Sequence, residues 1–228
     1  MSDATLVEVN AMIHLTDHWG FVETPYGELY LAGNDDGIAL RFFHGKDYEP
    51  ESLLLWSRLC AGKIVIDVGA HTGIYSLAAY LAGASWVYSI EPYYMNIARL
   101  KMNLRKNGYG TKCCLYACAS DHDGMTMLSV NGTPYYCTAG AHMGPHEQWP
   151  MLPVPSLALD TLPIIPDVVK IDVEGFELAV LKGMSRILES RPDLIIESTE
   201  HAIADILKPF GYTFSLLDER NVYATVKA

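Results

Sequence analysis

The stretch Lys63-Ile-Val-Ile-Asp-Val-Gly-Ala-His-Thr-Gly73 decides the fold of this chain. An apolar run reaches Asp67 and Val68, and Gly69 and Gly73 then bracket a short loop. The residues that follow at helical spacing are Ile74, Leu77, Ala78 and Leu81. A strand, a glycine loop and a helix in this order suit a nucleotide-like ligand, because glycine admits close approach and the helix start offers free N–H groups.

Two further acids follow apolar runs. Glu91 ends the run from Trp86 to Ile90, where a carboxylate can bind two ribose hydroxyls. Asp172 follows the apolar run that starts at Val168 and lies in the sequence Lys-Ile-Asp-Val-Glu-Gly. Because the carboxyl ends of parallel strands meet at one edge of a sheet, we expect Asp67, Glu91 and Asp172 to converge there.

Several ligands compete for the glycine loop. A phosphate-binding NTPase loop needs lysine and then Ser or Thr after the second glycine, but Ile74 and Tyr75 stand there. A dinucleotide fold prefers three closely spaced glycines, so a nicotinamide-dependent oxidoreductase is the weaker alternative. S-adenosylmethionine (SAM) fits best, with Asp67 meeting its ammonium, directly or through water, and Glu91 its ribose. A tight turn without any ligand is the remaining alternative.

Predicted strands and helices alternate from Lys63 onward, which indicates an α/β fold with a parallel sheet between helices. The predicted strands are 63–68, 86–91, 113–118, 167–172 and 193–198, and the predicted helices are 73–83, 94–107, 176–190 and 200–209. Segments 211–217 and 222–226 have no helix between them and should pair antiparallel.

Residues 1–60 are predicted to form an N-terminal extension, and residues 61–228 the ligand-binding domain. The extension combines a hairpin around Pro25-Tyr26-Gly27, a third strand at 38–43 and a helix at 49–60. The segment at about 131–157 is rich in Gly, Pro and aromatic residues and shows no regular pattern. We expect a lid over the acceptor site there.

Composition restricts the function classes. The formal net charge is −11 and Lys and Arg form no stripe, so nucleic acid is not an expected partner. No apolar run is long enough for a membrane helix. Five cysteines, an odd number, and no evident secretion signal predict a cytoplasmic protein with reduced thiols. The sequence leaves open whether the protein forms a homo-oligomer.

Motifs across residues 36–200 resemble those of FkbM-type SAM-dependent methyltransferases. They are Tyr48-Glu49-Pro50-Glu51, the Asp67–Gly73 loop, Tyr88-Ser89-Ile90-Glu91-Pro92, Asn96, Ala119-Ser120-Asp121, Leu159-Asp160-Thr161-Leu162, and Lys170–Gly175 with Glu177, Leu178, Leu181, Lys182 and Gly183. The resemblance implies a class I methyltransferase (Rossmann-like) fold, with a mostly parallel seven-stranded sheet and an antiparallel final strand. It also implies SAM as the methyl donor and O-methylation of a small-molecule or sugar-like acceptor. His71 departs from the asparagine that is frequent in the family.

The resemblance also implies site residues. Residues expected to bind the cofactor are Tyr48, Asp67, Gly69, Ala70, His71, Thr72, Gly73, Glu91, Pro92, Asn96, Ser120, Asp121 and Asp172. Among them, Ser120 and Asp121 are expected at the adenine, and Tyr48 over the methionine end. Asp172 and Glu174 are expected beside the methyl group, as base or metal ligand.

Glu197 and His201 follow the next strand, and we expect them to join the catalytic set. Carboxylates and an imidazole could bind a divalent cation that acidifies an acceptor hydroxyl. The alternative is an acid pair at a helix N-terminus with His201 in solvent. A SAM-fold protein that binds the cofactor without catalysis is the alternative to an enzyme.

Overall fold

A computed structural model describes residues 17–33, 36–130, 141–143 and 150–226. The strands, in chain order, are β1 (Trp19–Thr24), β2 (Gly27–Ala32), β3 (Ile64–Val68), β4 (Trp86–Glu91), β5 (Cys114–Tyr116), β6 (Cys118–Ser120), β7 (Gly124–Val130), β8 (Ala141–Met143), β9 (Met151–Ala158), β10 (Val168–Ile171), β11 (Asp193–Glu197), β12 (Thr213–Leu216) and β13 (Asn221–Thr225).

The helices are α1 (Gly37–Phe43), α2 (Pro50–Cys60), α3 (Ile74–Leu81), α4 (Tyr94–Lys106), α5 (Glu177–Lys182), α6 (Ser185–Glu189) and α7 (Glu200–Leu207). Two 3₁₀ turns lie at Leu159–Thr161 and Lys208–Phe210. Within the described ranges, no helix has both the length and the apolar character needed to cross a membrane.

The central sheet has seven strands in the order β12-β13-β11-β10-β3-β4-β5. Strands β10, β11, β3, β4 and β5 run parallel, whereas β13 is antiparallel to both β11 and β12. This confirms the predicted mostly parallel sheet with a reversed final strand. The chain leaves β3 towards β4 on one side and reaches β10 on the other, so the strand order reverses at this point. Ligands of open α/β sheets bind in the crevice at such a reversal.

Three predicted elements differ from the structure. Residues 38–43 form helix α1 rather than a third strand, because the Asp36 carboxylate accepts hydrogen bonds from the N–H groups of Ile38 and Ala39 and starts a helix. The predicted strand 113–118 is interrupted at Ala117, between β5 and β6. The predicted helix 176–190 breaks at Gly183, where a Cβ would lie 1.9 Å from the Ser120 carbonyl oxygen.

The expectation of an irregular segment at 131–157 was partly wrong. Residues 151–158 form β9, which pairs with β7 and β6 in a second, four-stranded sheet. Pro153 and Pro155 suggested a loop, but they lie at alternate positions, so both missing N–H groups fall on one edge of the strand. Residues 131–140 and 144–149, on which the lid hypothesis rests, lie outside the described residues.

The β1–β2 hairpin shares a hydrophobic core with the parallel sheet. Buried side chains of that core include Val22, Leu29 and Leu31 from the hairpin, Trp56 from α2, and Val65, Leu77 and Leu100 from the elements around the glycine loop. Asn103 on α4 couples the two parts, because its side chain accepts the Tyr30 N–H at 2.9 Å and donates to the Thr72 carbonyl at 2.8 Å. One turn later, the Asn107 side chain accepts the N–H of Glu28 in β2 and donates to the Glu28 carbonyl.

We expect Asn103→Ala to lower the free energy of unfolding by about 2 kcal/mol or more, because two backbone groups lose their partners beside a fully buried side chain. Asn107→Ala, at the C-cap of the same helix, is the matched control. Its partners lie in a less buried region, where water can replace the amide, so we expect about 1 kcal/mol or less. Urea unfolding of both variants measures the difference, and equal losses would contradict a special role for Asn103.

Candidate active site

A cavity of about 680 Å³ opens at the carboxyl ends of the parallel strands. This volume lies within the range of small-molecule sites in proteins. The predicted residues that line it are Tyr48, Gly69, His71, Glu91, Pro92, Asn96, Asp172, Glu174 and Glu197. Those that do not are Asp67, Ala70, Thr72, Gly73, Ser120, Asp121 and His201.

The glycine loop forms the floor of the cavity. Gly69 has φ of +77°, and a Cβ on it would lie 1.7 Å from the carbonyl oxygen of Asp172. The N–H groups of Gly69 and Ala70 both donate to the Ile90 carbonyl, at 2.9 and 3.0 Å. The loop is therefore held between the ends of β4 and β10, and only glycine fits at position 69.

Glu91 binds the loop as well as facing the cavity. One carboxylate oxygen accepts the His71 N–H at 2.9 Å, and the other accepts the Tyr93 N–H at 2.8 Å and the Asn96 amide at 3.3 Å. Burial raises the pKa of Glu91 above its ordinary value, although His71 and these hydrogen bonds oppose the rise. Glu91 therefore positions the loop that would surround a ligand.

Asp67 is not placed as the sequence suggested. Its side chain is 2% exposed and accepts the Ser76 hydroxyl at 2.6 Å, within the core behind the loop. Burial raises the pKa of Asp67 to about 6, against the opposing hydrogen bond from Ser76 and the charge of Lys170. Direct contact between Asp67 and a ligand ammonium is therefore not supported, since Asp67 is the next-to-last residue of a strand that is buried on both faces.

The expected adenine residues also lie elsewhere. Ser120 is buried, and its backbone packs against Gly183, while Asp121 pairs with the exposed His122. Neither lines the cavity. The wall on this side consists of small and apolar residues that were not among the expected cofactor-binding residues, namely Ala117, Cys118, Ala119 and Leu128. Ala117, Cys118 and Ala119 directly precede the expected residues Ser120 and Asp121 in the sequence.

Three acids cluster where β10 and β11 end. Carboxylate oxygens of Asp172, Glu174 and Glu197 all lie within 4.8 Å of one another. The Lys170 ammonium donates to Asp172 at 3.2 Å, and the Arg220 guanidinium contacts Glu197. Two of the three acids are thus paired with cationic side chains of the same chain.

The two central carboxyls have opposite proton affinities. Burial disfavours ionisation of Asp172, but the Lys170 charge and hydrogen bonds from Glu197 and Lys170 outweigh it, so its pKa is lowered. Burial, the hydrogen bond to Asp172 and the Asp172 charge raise the pKa of Glu197 to about 9, despite the nearby Arg220. These shifts favour the ionised form of Asp172 and the protonated form of Glu197, with a hydrogen bond between the two carboxyl groups.

His201 does not join this cluster. It is exposed on α7, outside the cavity lining, so its expected catalytic role is not supported. Lys170 and Arg220 already supply positive charge to two of the three acids, which weakens the attraction of this cluster for a divalent cation.

The N-terminal segment contributes a wall of the cavity. Tyr48 and Glu49 lie directly before α2, and the Tyr75 hydroxyl donates to Glu49 at 2.6 Å. Burial and the charges of neighbouring acids raise the pKa of Tyr48 well above its ordinary value. The start of α2 receives its cap from the distant Asp218, whose carboxylate accepts the N–H groups of Glu51 and Ser52.

Backbone strain is concentrated around the cavity. Among the described residues, the non-glycine residues with positive φ are Glu49 (40°), His71 (49°), Glu174 (52°) and Arg191 (58°). Three of these four line the cavity. The Nε2 atom of His71 is also buried without a hydrogen-bond partner in the described part of the chain. Strained backbone and an unsatisfied ring nitrogen are typical of a ligand site.

The sequence reading missed Arg220 and Asn221. Both precede or begin β13, and both line the cavity. Because β13 runs against its neighbours, its first residues lie where β10 and β11 end. The predicted antiparallel pairing of the last two segments contained this signal, because a strand that runs opposite to its neighbours begins at the sheet edge where they end.

Comparison with known proteins agrees with this geometry. A family model described as methyltransferase FkbM domain matches residues 67–221. No curated protein matches the sequence. A solved methyltransferase FkbM from Methylobacillus flagellatus is 18% identical, with a TM-score of 0.56 over 83% of this chain and 52% of that chain. This chain therefore spans about half of that protein.

Two further solved structures align less well. The ribosomal protein L11 methylase from Lactobacillus delbrueckii is 15% identical, with a TM-score of 0.48 over 77% of each chain. The magnesium protoporphyrin IX methyltransferase from Synechocystis, solved with bound SAM, is 14% identical, with a TM-score of 0.47 over 78% of each chain. Since the family model matches more than half of the sequence, this chain belongs to the FkbM family of SAM-dependent methyltransferases.

Proposed function

We propose that this protein transfers the methyl group of SAM to a hydroxyl oxygen of a small-molecule acceptor. The observation that carries the proposal is the Asp172–Glu197 carboxyl pair on the wall of the cavity, with the Lys170 ammonium 3.2 Å from Asp172, the pKa of Asp172 lowered and the pKa of Glu197 raised. A hydroxyl acceptor must lose a proton during methyl transfer, and an ionised carboxylate beside the reacting oxygen can take it.

The cavity fits SAM in three respects. Gly69 leaves the loop surface open, Glu91 offers carboxylate oxygens, and His71 Nε2 offers an unused hydrogen-bonding atom. The wall formed by Ala117, Cys118, Ala119 and Leu128 suits a flat purine ring. SAM supplies a methyl carbon activated by positively charged sulfur, so the protein has to align the acceptor and remove its proton.

The charge of the cavity supports a small and non-polyanionic acceptor. Its lining carries eight carboxyl side chains, which are Asp47, Glu49, Glu91, Asp172, Glu174, Glu197, Asp218 and Glu219. The only Lys and Arg side chains in the same lining are Arg41, Lys46 and Arg220. An excess of negative charge favours the cationic SAM and opposes the entry of a nucleic acid backbone.

We expect Glu91→Gln to raise the dissociation constant for SAM about tenfold or more, a loss of about 1.4 kcal/mol. The amide NH₂ cannot accept hydrogen bonds, so one of the N–H groups of His71 and Tyr93 loses its partner and the loop loosens. Glu189→Gln, at an exposed position on α6, is the control. Calorimetry measures both, and unchanged affinity in Glu91→Gln would remove the cofactor role of Glu91.

Asp172→Asn should retain SAM binding but lower turnover about 100-fold or more, because an amide cannot take a proton. Turnover is measured as S-adenosylhomocysteine formed on a panel of hydroxyl compounds. Normal turnover in the variant would refute the proton-acceptor role. A wild-type protein that binds SAM but turns over no acceptor would instead support a binding protein without catalysis.

Turnover should not depend on divalent cations, because Lys170 and Arg220 already neutralise the acidic cluster. We expect the rate after EDTA treatment to equal the untreated rate, and added Mg²⁺ to have no effect. A rate that is lost with EDTA and restored by Mg²⁺ would show that the three acids bind a metal.

A further inference from the structure

Lys170 is a buried lysine directly beneath the proposed catalytic pair. Its side chain is 1% exposed, and its ammonium group lies 3.2 Å from Asp172 Oδ2 and 3.0 Å from Asn221 Oδ1. The same nitrogen lies 4.9 Å from the centre of the Tyr75 ring. A buried ammonium is costly unless it is paired, so Asp172, Asn221 and the ring together hold it in one place.

The two carboxyls of the pair meet very different cations. Asp172 contacts the buried Lys170, whereas Glu197 contacts Arg220, whose side chain is 67% exposed. A charge inside the protein acts more strongly than one in solvent, because water and salt screen the exposed group. The arrangement therefore favours negative charge on Asp172 over negative charge on Glu197.

We propose that Lys170, held by Asn221, is a positioning residue that makes Asp172 the proton acceptor of the methyl transfer and leaves Glu197 as its hydrogen-bond donor. This inference rests on the proposed function. In the reaction the acceptor hydroxyl loses its proton to the Asp172 carboxylate as its oxygen bonds to the methyl carbon. Glu197 keeps its own proton throughout.

Other charged and titratable groups around Asp172 do not produce this asymmetry. The acids Glu49, Asp67 and Glu174 all disfavour a negative charge nearby. Tyr48 is neutral at ordinary pH because its pKa is raised, and Lys170 lowers the pKa of Asp172 more than His71 does. Lys170 is therefore the group that can outweigh the surrounding acids, and its own pKa is raised by Asp172, Glu49 and Glu197 despite burial.

The reversed strand β13 supplies the second contact of Lys170. Asn221 begins β13, is fully buried, and pairs with Glu197 in the strand register. Its amide oxygen accepts a hydrogen bond from the Lys170 ammonium. This contact directs the ammonium towards Asp172. The Asn221 side chain thus holds the ammonium that contacts Asp172, from the strand position that pairs with Glu197.

Carbon-13 NMR of the carboxyl groups in the free protein tests this inference without any acceptor. The Asp172 and Glu197 signals are assigned from their absence in Asp172→Asn and Glu197→Gln. In the wild type we expect Asp172 to titrate below its ordinary range and Glu197 near pH 9. If Glu197 is ionised at neutral pH while Asp172 is protonated, the inference fails, whatever the variants show.

Three lysine variants then isolate the cause. We expect Lys170→Met to raise the pKa of Asp172 by about one pH unit or more, and Lys170→Arg to keep it low. Lys112→Met, at an exposed position before β5, should change nothing. An unchanged Asp172 pKa in Lys170→Met would overturn the inference, as would an equal rise in Lys170→Arg.

The pH profile of turnover gives a second readout. Since Asp172 must be ionised, Lys170→Met should move the acidic limb of the pH–rate profile to higher pH by the same interval as the pKa of Asp172. At pH values below the acidic limbs of both the wild type and the variant, turnover by the variant should be about tenfold slower. Turnover should recover as the pH rises, with unchanged SAM affinity. A uniform loss at every pH would contradict the inference. If the wild type methylates no acceptor, the proposed function fails, while the NMR titration still decides the role of Lys170.

Discussion

The structure depends on the contact between the Gly69 backbone and the carbonyl oxygen of Asp172, at the point where the strand order reverses. No side chain fits between them, since a Cβ on Gly69 would lie 1.7 Å from that oxygen. The contact brings the cofactor loop and the acidic cluster against one another, although they lie about one hundred residues apart in sequence. The glycine loop and the acidic cluster can therefore line a single cavity only because position 69 has no side chain.

Charge in this cavity is organised by depth. Lys170 lies at the bottom, the Asp172–Glu197 pair lies above it, and Arg220 lies at the solvent side. A buried pair of carboxyls would otherwise share one proton without preference, as two like charges cannot both ionise at close range. A cation placed on one side removes this symmetry. In the proposed function, this asymmetry makes a base and a hydrogen-bond donor of two chemically similar side chains.

Much of the fold follows from local pattern, but several site residues do not. Apolar runs that end in acids predicted Glu91 and Asp172 at one edge, and the structure places both on the cavity wall. The same reasoning did not place Asp67, which lies outside the cavity lining, because a strand buried on both faces gives no sign of the direction in which a polar side chain near its end points. Arg220 and Asn221 carry no motif of their own. Their role comes from the direction of β13, which is a property of the whole sheet.

The positive φ angles of Glu49, His71 and Glu174 have a consequence for attempts to make the protein more heat-resistant. Left-handed backbone costs an L-residue about 1–2 kcal/mol, so glycine at any of these positions would relieve conformational energy. Each replacement would also delete a side chain from the cavity wall. Selection for thermal tolerance alone would therefore tend to enrich variants in which robustness rises as methylation declines.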